Sequence, residues 1–359
     1  MNSLSKEQVD QITQGLTPPS EHWRQKARAH LDTLTKPLGS LGRLEDIAAQ
    51  IAAIRQGEIT GPLYKGVYVF ASDHGITAEG VSAYPREVTY QMVLNFLRQG
   101  AAVNVLANLH QAELHVIDVG VDADFQGLPG LLHYKIANGT RNMLHEPAMS
   151  DEHLAQAIQV GVQMAANAVA SGKTIIAIGE MGIGNTTSAS AITCALTGAS
   201  PSIATGHGTG VSPEAFTHKV SIVEAVGLKH FGGTPNPLPL EVLRCVGGFE
   251  IAAMAGMILA AASHKLIIVI DGFISTAAAA LAVSLAPPTQ GYLIAGHQSE
   301  EPGHKLLLGY LNLKPILTLN MRLGEGSGAV LAMPIVEAAL AIYNQMATFT
   351  SAGVSEASS

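Results

Sequence analysis

One glutamate, Glu325, stands between glycines in the stretch LNMRLGEGSGA, residues 319–329, directly ahead of an apolar helical run. A carboxylate in this place can interact with the positive end of the helix that follows. It can also act as a base toward a ligand that comes very close to the backbone. Residue type and spacing leave both interpretations open.

A second stretch whose residues could bind a ligand is AIGEMGIGNTTSASA, residues 177–191. Gly182 and Gly184 follow a strand that is predicted to end at Gly179, and Thr186 stands where a helix begins. Glycines let backbone N–H groups turn toward an anion, and a helix start adds further N–H groups and the positive end of its dipole. Phosphate binding is therefore favoured over a simple strand–helix turn with a threonine as N-cap. The stretch lacks the lysine of a Walker loop and the third glycine of a dinucleotide fingerprint.

Three further segments could contact a ligand. The stretch TGHGTGVSPEAF, residues 205–216, is either a flexible loop or an anion-binding nest before a helix that starts at Ser-Pro-Glu. In AGHQSEEPGHK, Ser299 either donates to a phosphate or caps the next helix. The segment after the first strand carries Ser82 and Gln91, which could orient a flat apolar ligand against a wall, although its apolar residues also suit plain helix packing.

Metal ligands at a recognisable spacing are missing from the sequence, which has no His-x-x-x-His pair and no Cys-x-x-Cys. We therefore expect no bound metal and no cofactor. No Gly-x-Ser-x-Gly elbow is present either, but a Ser/His/Asp triad assembled by the fold stays open.

Short apolar runs without alternation predict the framework that positions these groups. Strands buried on both faces have this texture, and helix-like segments between the runs indicate an α/β fold with a parallel, Rossmann-like sheet of about six strands and helices on both faces. The runs are GVYVFAS, ELHVIDVG, KTIIAIGE, KLIIVIDG, GYLIAG and KPILTLN. The carboxyl ends of such strands form one ligand-binding edge. Among the residues predicted there are Asp73, Asp118, Glu180, Asp271 and, after the last strand, Glu325.

Helical segments without intervening strands are predicted at the two ends of the chain. The stretches SEHWRQKARAHLDTLTK and LGRLEDIAAQIAAIRQ have apolar residues at three-to-four spacing, and the texture changes near residue 66. After Glu325 the sequence predicts one or two helices, broken near Pro334.

Composition excludes several classes of function. A net charge of −8 without a basic block argues against a nucleic-acid partner. The mean hydropathy of +0.27 suggests a membrane protein, but charged residues interrupt the most apolar stretch, residues 246–287, and leave no membrane span. The N-terminus does not have the pattern of a signal peptide, and Cys194 and Cys245 lie in apolar surroundings. We therefore expect a cytoplasmic protein with free thiols.

Seven motifs, in order, carry a family resemblance. They are TKPLGSLGRLE, DHGITAEGVSAYP with VTYQM, GEMGIGNTTSA, GHGTG, IDGFIST, GHQSEEPGH and NMRLGEGSGA. The set resembles the nicotinate-nucleotide–dimethylbenzimidazole phosphoribosyltransferases of cobalamin lower-ligand assembly. The resemblance implies transfer of the 5-phosphoribosyl group of nicotinate mononucleotide to 5,6-dimethylbenzimidazole, which yields nicotinate and α-ribazole 5′-phosphate with inversion at the anomeric carbon.

The resemblance also implies a homodimer with two domains in each chain. The large α/β catalytic domain would span residues 66–328, and a small helical domain would combine residues 1–65 with residues 329–348. Residues 349–359 are small and polar and are predicted to form a flexible tail.

Roles for single residues follow from the same resemblance. Glu325 matches the catalytic glutamate and would take the proton that the acceptor base loses, while Glu180 matches a second glutamate near the ribose. The pyridinium leaving group departs neutral, so no acid is implied. No pyrophosphate leaves, so no Mg²⁺ site is implied either. Gly324, Gly326 and Gly328 are expected to leave room for the flat acceptor ring. Matches to the phosphate end are Gly182, Gly184, Asn185, Thr186 and Ser299, and matches to the benzimidazole pocket are Ser82, Gln91 and Leu323.

Two other functions stay open at this level. One is a nucleotide glycohydrolase on the same scaffold, with water as the acceptor, and the other is a non-catalytic nucleotide- or benzimidazole-binding module. The range of acceptor bases stays open as well, because one methyl group contributes only about 1–3 kcal/mol of discrimination in an apolar pocket. His207, in the second glycine-rich loop, has no assigned role.

Overall fold

The computed structural model describes residues 3–57, 61–125, 127–208, 210, 212–232 and 234–355. Its strands are β1 (Lys65–Ser72), β2 (Glu113–Gly120), β3 (Leu131–His133), β4 (Ile175–Met181), β5 (Ile267–Ile270) and β6 (Leu293–Ala295). Its helices are α1 (Ser3–Ile12), α2 (Glu21–Asp32), α3 (Arg43–Arg55), α4 (Val88–Leu97), α5 (Ala102–Leu109), α6 (Asp151–Ala170), α7 (Asn185–Thr197), α8 (Pro201–Ala204), α9 (Pro213–Phe231), α10 (Pro239–Val246), α11 (Phe249–Ser263), α12 (Phe273–Leu285), α13 (Pro302–Tyr310), α14 (Ser327–Gln345) and α15 (Phe349–Ala352). Gly75–Glu79 and Pro287–Tyr292 are 3₁₀ turns.

The strands form one parallel sheet in the order β3-β2-β1-β4-β5-β6. Tyr68 of β1 pairs with His115 of β2 on one side and with Ile178 of β4 on the other. Nearly all side chains of β1, β4 and β5 are buried, because helices cover both faces. The predicted parallel α/β sheet of about six strands is therefore confirmed.

Two strands differ from the prediction. Leu131–His133 forms the edge strand β3, which is too short to leave an apolar run in the sequence. The apolar run at residues 314–320 is not a strand, so that prediction was wrong. There Leu317 forms an isolated bridge, donating to the Gly296 carbonyl at 3.0 Å and accepting from the Gln298 N–H at 2.8 Å, and Ile316 donates to the Ala295 carbonyl at 3.0 Å. Glu325 thus follows an irregular segment beside β6 and does not end a strand.

Crossover helices cover the sheet on both faces. The chain passes from β1 through α4 and α5 to β2 in one direction, and from β4 through α7–α11 to β5 in the other. With right-handed crossovers these two groups lie on opposite faces. Helix α11 packs on β1, β2, β4 and β5, while α4, α5 and α14 contact the strands from the other side. The strand order reverses between β1 and β4, and a crevice for ligands is expected at the carboxyl ends there.

Helix α14 runs without interruption from Ser327 to Gln345, with Pro334 inside it. The predicted break near Pro334 is therefore wrong. Proline removes one intrahelical hydrogen bond, and burial of Val330, Met333 and Val336 holds the helix together around it. Among the described helices, α14 is the one whose length and composition could span a membrane, but half of it is buried inside the protein, as in a core helix.

Both ends of the chain meet beside the sheet. Helices α2 and α3 form where the periodicity predicted them, and α3 packs against α14. Thr35 donates its N–H to the Ala347 carbonyl at 2.9 Å, and Phe349 donates to the Thr33 carbonyl at 3.0 Å. These contacts support a helical unit built from both chain ends, although the domain boundaries stay a prediction. Helix α15 extends into the predicted flexible tail, and residues 356–359 lie outside the described residues.

Candidate active site

A cleft of about 390 Å³ opens beyond the carboxyl ends of β4, β5 and β6. Seven of the predicted site residues line it: Glu180, Gly182, Asn185, Thr186, Ser299, Leu323 and Glu325. A groove of similar volume, about 400 Å³, lies between α7 and α9, but Cys194 and Glu224 are its only ionisable lining groups among the described residues. Converging carboxylates therefore make the cleft the candidate active site.

Glu325 adopts a backbone conformation that is rare for its residue type. Its φ is +65°, and Gly324 and Gly326 on either side have φ of +87° and +88°. This left-handed turn ends where α14 begins, at Ser327, and it leaves Glu325 only 5% exposed. Strain of this kind persists where the surrounding structure fixes it, and it is concentrated at functional sites.

The Glu325 carboxylate meets the N-terminus of α5, not that of its own helix. One oxygen accepts a hydrogen bond from the Val103 N–H, while Oε2 is buried without a hydrogen-bond partner among the described residues. Burial raises the pKa of Glu325 to about 7, the negative charge of Asp271 adds to this, and the Val103 N–H opposes it. A carboxylate with that pKa and a free oxygen suits a general base near neutral pH.

The glycines around Glu325 make room for protein atoms, and their expected role toward the acceptor ring stays a prediction. A Cβ atom on Gly328 would lie 2.0 Å from Cδ2 of His297, and one on Gly324 would lie 2.4 Å from Oε1 of Glu180. A Cβ atom on Gly326 would lie 3.3 Å from the Cα atom of Gly179. These glycines therefore let the turn approach β4 and His297 closely.

Glu180 lies in β4, which continues to Met181, two residues beyond the predicted strand end. Its Oε2 accepts a hydrogen bond from the Asn185 side chain. Burial raises the pKa of Glu180 to about 8, and the charges of Glu250, Asp271 and Glu325 add to the rise. Glu180 therefore holds a proton at neutral pH, which allows it to donate a hydrogen bond to a ligand hydroxyl.

The Glu180→Gln variant, which imitates the protonated acid, should change the pH dependence of stability. The folded protein keeps a proton that the unfolded chain releases above about 4.5, so stability falls as the pH rises from about 4.5 to about 8. We expect the free energy of unfolding of the variant to exceed that of the parent protein by an amount that grows by a few kcal/mol as the pH rises across this window. Urea unfolding at pH 5, 6.5 and 8 measures it, with the exposed Glu224→Gln as control. Parallel curves for variant and parent would contradict the raised pKa of Glu180.

Helix α7 begins in the loop that was predicted to bind phosphate. Its N-cap is Gly184, with φ of +95° and no side-chain cap, so the interpretation of a threonine as N-cap is wrong. The first turn leaves Asn185 and Thr186 on the cleft. An uncapped N-terminus of a 13-residue helix supplies backbone N–H groups and a partial positive charge to an anion.

Lys219 adds a buried cation at this helix end. Its Nζ donates to Thr186 Oγ1 at 2.8 Å, and its side chain is 1% exposed. Burial lowers the pKa of Lys219 to about 8, and the Glu301 carboxylate opposes the shift. Sequence reasoning missed this residue because it lies on α9, beyond the second glycine loop. Its signal was a lysine on the apolar face of a helix, in line with Ile222, Val223 and Val226.

Ser299 lies in the turn that leads into α13. Its Oγ accepts from the Glu301 N–H at 3.3 Å, and its N–H donates to Nδ1 of His304 at 2.9 Å. The N-cap of α13 is Glu301, so Ser299 is not the cap. Burial lowers the pKa of His304 to about 3, so its neutral ring accepts from Ser299 and donates through Nε2 to Thr276 Oγ1 at 3.0 Å.

The second glycine-rich loop reaches the cleft through Gly208. His207 stacks on Phe216, with ring centroids 4.5 Å apart. Ser212 caps α9 and Pro213 follows, as the Ser-Pro-Glu signal predicted. Thr209 and Val211 lie outside the described residues.

The wall of the cleft opposite α7 comes from the segment after β1. Tyr84, Val88 and Met92 line the cleft, and Ser82 Oγ accepts the Tyr84 N–H at 3.2 Å. Gln91 is exposed on α4 between two of these wall residues. Leu323 lies at the mouth with 54% of its surface exposed.

The fold does assemble a serine–histidine–carboxylate row, away from the cleft. His74 Nε2 lies 2.5 Å from Glu250 Oε1, and His74 Nδ1 lies 3.1 Å from Ser188 Oγ. All three side chains are buried, and none lines the cleft. The row therefore supports the loop beneath α7 and does not present a nucleophile.

Asp118 also lies away from the cleft, with its carboxylate accepting the N–H groups of Gly120 and Val121. In the part of the chain that the structure describes, no group of three or more His, Cys, Asp and Glu side chains could hold a metal ion.

Comparisons with known proteins match this chain to one family over nearly its whole length. A family model described as phosphoribosyltransferase matches residues 16–354. A nicotinate-nucleotide–dimethylbenzimidazole phosphoribosyltransferase of Geotalea uraniireducens is 51% identical over 332 residues, covering 92% of this chain and 94% of that protein. The one of Chloroflexus aggregans is 50% identical over 331 residues, covering 92% of this chain and 93% of the relative. The crystal structure of CobT from Thermus thermophilus superposes with a TM-score of 0.89 at 46% identity, covering 94% of this chain and all of that one.

Proposed function

The chain belongs to the nicotinate-nucleotide–dimethylbenzimidazole phosphoribosyltransferases, and from this membership we propose that it transfers the 5-phosphoribosyl group of nicotinate mononucleotide to 5,6-dimethylbenzimidazole. The products are nicotinate and α-ribazole 5′-phosphate. The names of the relatives support both substrates. The observation that carries the mechanism is the buried Glu325 carboxylate, which lines the cleft with one oxygen free.

Glu325 acts as the general base in this proposal. The acceptor attacks C1 of the ribose with one ring nitrogen and must lose the proton from the other. Nicotinate leaves with the electron pair of the glycosidic bond, which neutralises its pyridinium nitrogen, so no second group has to protonate it. Because Glu325 takes a proton and forms no bond to the sugar, the reaction is a single displacement. A single displacement inverts the carbon that is attacked.

The phosphate of the donor binds at the N-terminus of α7. Gly182, Gly184, Asn185 and Thr186 provide the backbone turn and polar groups there, and Ser299 approaches from the turn before α13. Lys219 adds a positive charge at Thr186. Protonated Glu180, between this end and Glu325, donates to the ribose.

The acceptor ring binds against the wall of Tyr84, Val88 and Met92, with Ser82, Gln91 and Leu323 at its edge. Tyr84 and Leu323 are each 54% exposed in the single chain, which supports a homodimer in which a second copy covers the mouth of the cleft. The free cysteines support a cytoplasmic location. The two-domain division at residues 66 and 328 remains part of the proposal.

Incubation with nicotinate mononucleotide, with and without dimethylbenzimidazole, tests the function. We expect nicotinate release that depends on the base, with a product whose mass is that of the ribazole phosphate. Release without the base would identify a glycohydrolase. Binding of the nucleotide without any release would identify a non-catalytic module.

The turnover number should depend on pH through Glu325. A general base must be deprotonated, and the pKa of Glu325 is about 7, so activity should be full above that value and fall as the pH drops through it. Turnover measured from pH 5.5 to 9 should therefore show an acid limb with a midpoint near neutrality. Turnover that stays constant down to pH 5.5, as expected for the ordinary glutamate pKa of about 4.3, would contradict the assignment.

A further inference from the structure

The turn that carries Glu325 has no cap of its own. The N-cap of α14 is Gly326, which lacks a side chain, although α14 is 19 residues long and has several unpaired N–H groups at its start. A carboxylate from elsewhere in the chain occupies this position. Asp271, directly after β5, accepts the Gly326 N–H with Oδ2 at 3.1 Å and the Ala329 N–H with Oδ1 at 3.0 Å.

Asp271 is itself held on several sides. Its N–H donates to Ser275 Oγ at 2.8 Å, and its side chain is 2% exposed. His297 lies on the far side, with Nε2 at 3.5 Å from Oδ1. The imidazole fits in the space left by Gly328, so it packs directly on the first turn of α14. A buried carboxylate so enclosed can hold the backbone that it binds in one place.

We propose that Asp271 is a positioning residue, which fixes the carboxylate of Glu325 in the cleft through the backbone of residues 325–329. The amide that Oδ2 binds is the peptide group immediately after Glu325, so the hydrogen bond restrains ψ of that residue. The strained turn therefore cannot relax without losing this bond. The inference rests on the proposed role of Glu325 as the general base.

Asp271→Asn provides the test, because it keeps the size of the side chain but turns an amide N–H₂ group toward one of the two backbone donors. Asp118→Asn is the matched control. Asp118 is also a buried carboxylate at the carboxyl end of a strand, and it accepts the Gly120 and Val121 N–H groups at 3.1 and 2.9 Å without lining the cleft. Both variants replace a buried carboxylate with an amide. Asp118 accepts both N–H groups with Oδ1, which an asparagine oxygen can keep, and loses only its ion pair with Lys135, so stability in urea is measured for each variant and rates are compared per folded molecule.

Only Asp271→Asn should impair the chemical step. A displacement of the base by about 1 Å costs about 10²-fold in rate, so we expect a fall of that order in the single-turnover rate of nicotinate release. The KM values for both substrates should stay nearly unchanged. A purely structural role would lower the amount of folded enzyme and leave the rate per folded molecule intact.

The acid limb of the pH profile gives a second readout. Glu180, Asp271 and His297 surround Glu325 from the ends of β4, β5 and β6. Arg322 lines the same cleft, Lys219 lies behind its lining residue Thr186, and the N-terminus of α5 contacts the carboxylate. Loss of the Asp271 charge should lower the pKa of Glu325 and move the acid limb to lower pH. In Asp118→Asn the limb should stay in place.

Four outcomes separate the positioning role of Asp271 from the general-base role of Glu325. A normal rate and an unmoved acid limb in Asp271→Asn, with Glu325→Gln inactive, would overturn the positioning role alone. Equal rate losses in Asp271→Asn and Asp118→Asn would overturn it too, because the effect would then not depend on contact with the Glu325 turn. A fully active Glu325→Gln would remove the general base and with it the premise. A rate loss and a shifted limb confined to Asp271→Asn support the proposal.

Discussion

Glu325→Gln should lower the turnover number by about 10²- to 10⁴-fold, the usual contribution of a general base, while binding of nicotinate mononucleotide stays largely intact. Glutamine keeps the shape of the side chain and can still accept the Val103 N–H through its oxygen. It cannot take a proton from the acceptor ring. Turnover and nucleotide affinity, measured side by side on the folded variant, separate the chemical step from binding.

Glu337→Gln is the control for this change. Glu337 lies on the same helix, α14, but pairs with Lys65 at 2.5 Å outside the cleft. Its loss should leave turnover near the wild-type value. Near-normal turnover of Glu325→Gln would remove Glu325 from the role of base, whereas loss of nucleotide binding would show that the residue holds the donor.

Lys219→Met should raise the KM for nicotinate mononucleotide by about 10- to 150-fold. Hydrogen bonds to charged groups contribute about 1.5–3 kcal/mol, and this ammonium lies beside Thr186 at the predicted phosphate end. Methionine fills a similar volume, but it leaves the buried Glu301 without its cationic neighbour, so the folded fraction is measured alongside the kinetics. Steady-state kinetics measure the change, and inhibition by inorganic phosphate should weaken with it.

Lys229→Met serves as the counterpart on the exposed side of α9. It removes the same charge from the same helix. It should change neither the KM for nicotinate mononucleotide nor the inhibition by inorganic phosphate. If Lys219→Met retains its KM and its sensitivity to phosphate, the anion binds elsewhere. If both variants change alike, the effect comes from net charge and not from the cleft.

The sequence predicted the parts of the fold that single segments determine. Uninterrupted runs of valine and isoleucine identified β1, β4 and β5, because strands buried on both faces need apolar side chains at every position. The three residues of β3 left no such run, and their pairing with β2 depends on the tertiary fold. Pro334 was expected to break a helix by local rules, but packing against the sheet overrides them.

The site was predictable where loops and motifs carry it. Glu180, Thr186 and Glu325 come together in the cleft as expected. Lys219 was not found, since a lysine within an amphipathic helix has no local mark of function and only its place on the buried face distinguishes it. The close approach of Glu180 and His297 to the glycines near Glu325 cannot be read from the sequence alone.

The left-handed conformation of Glu325 has a consequence for protein engineering. A residue other than glycine held there costs on the order of 1–3 kcal/mol, and the turn at φ of +65° would suit glycine without strain. At this position the amino acid that the backbone prefers and the one that the chemistry needs are different. A library selected for heat resistance alone would drift toward glycine at position 325 and toward inactive proteins. Selection for thermostability must therefore keep this codon fixed or screen for turnover in parallel.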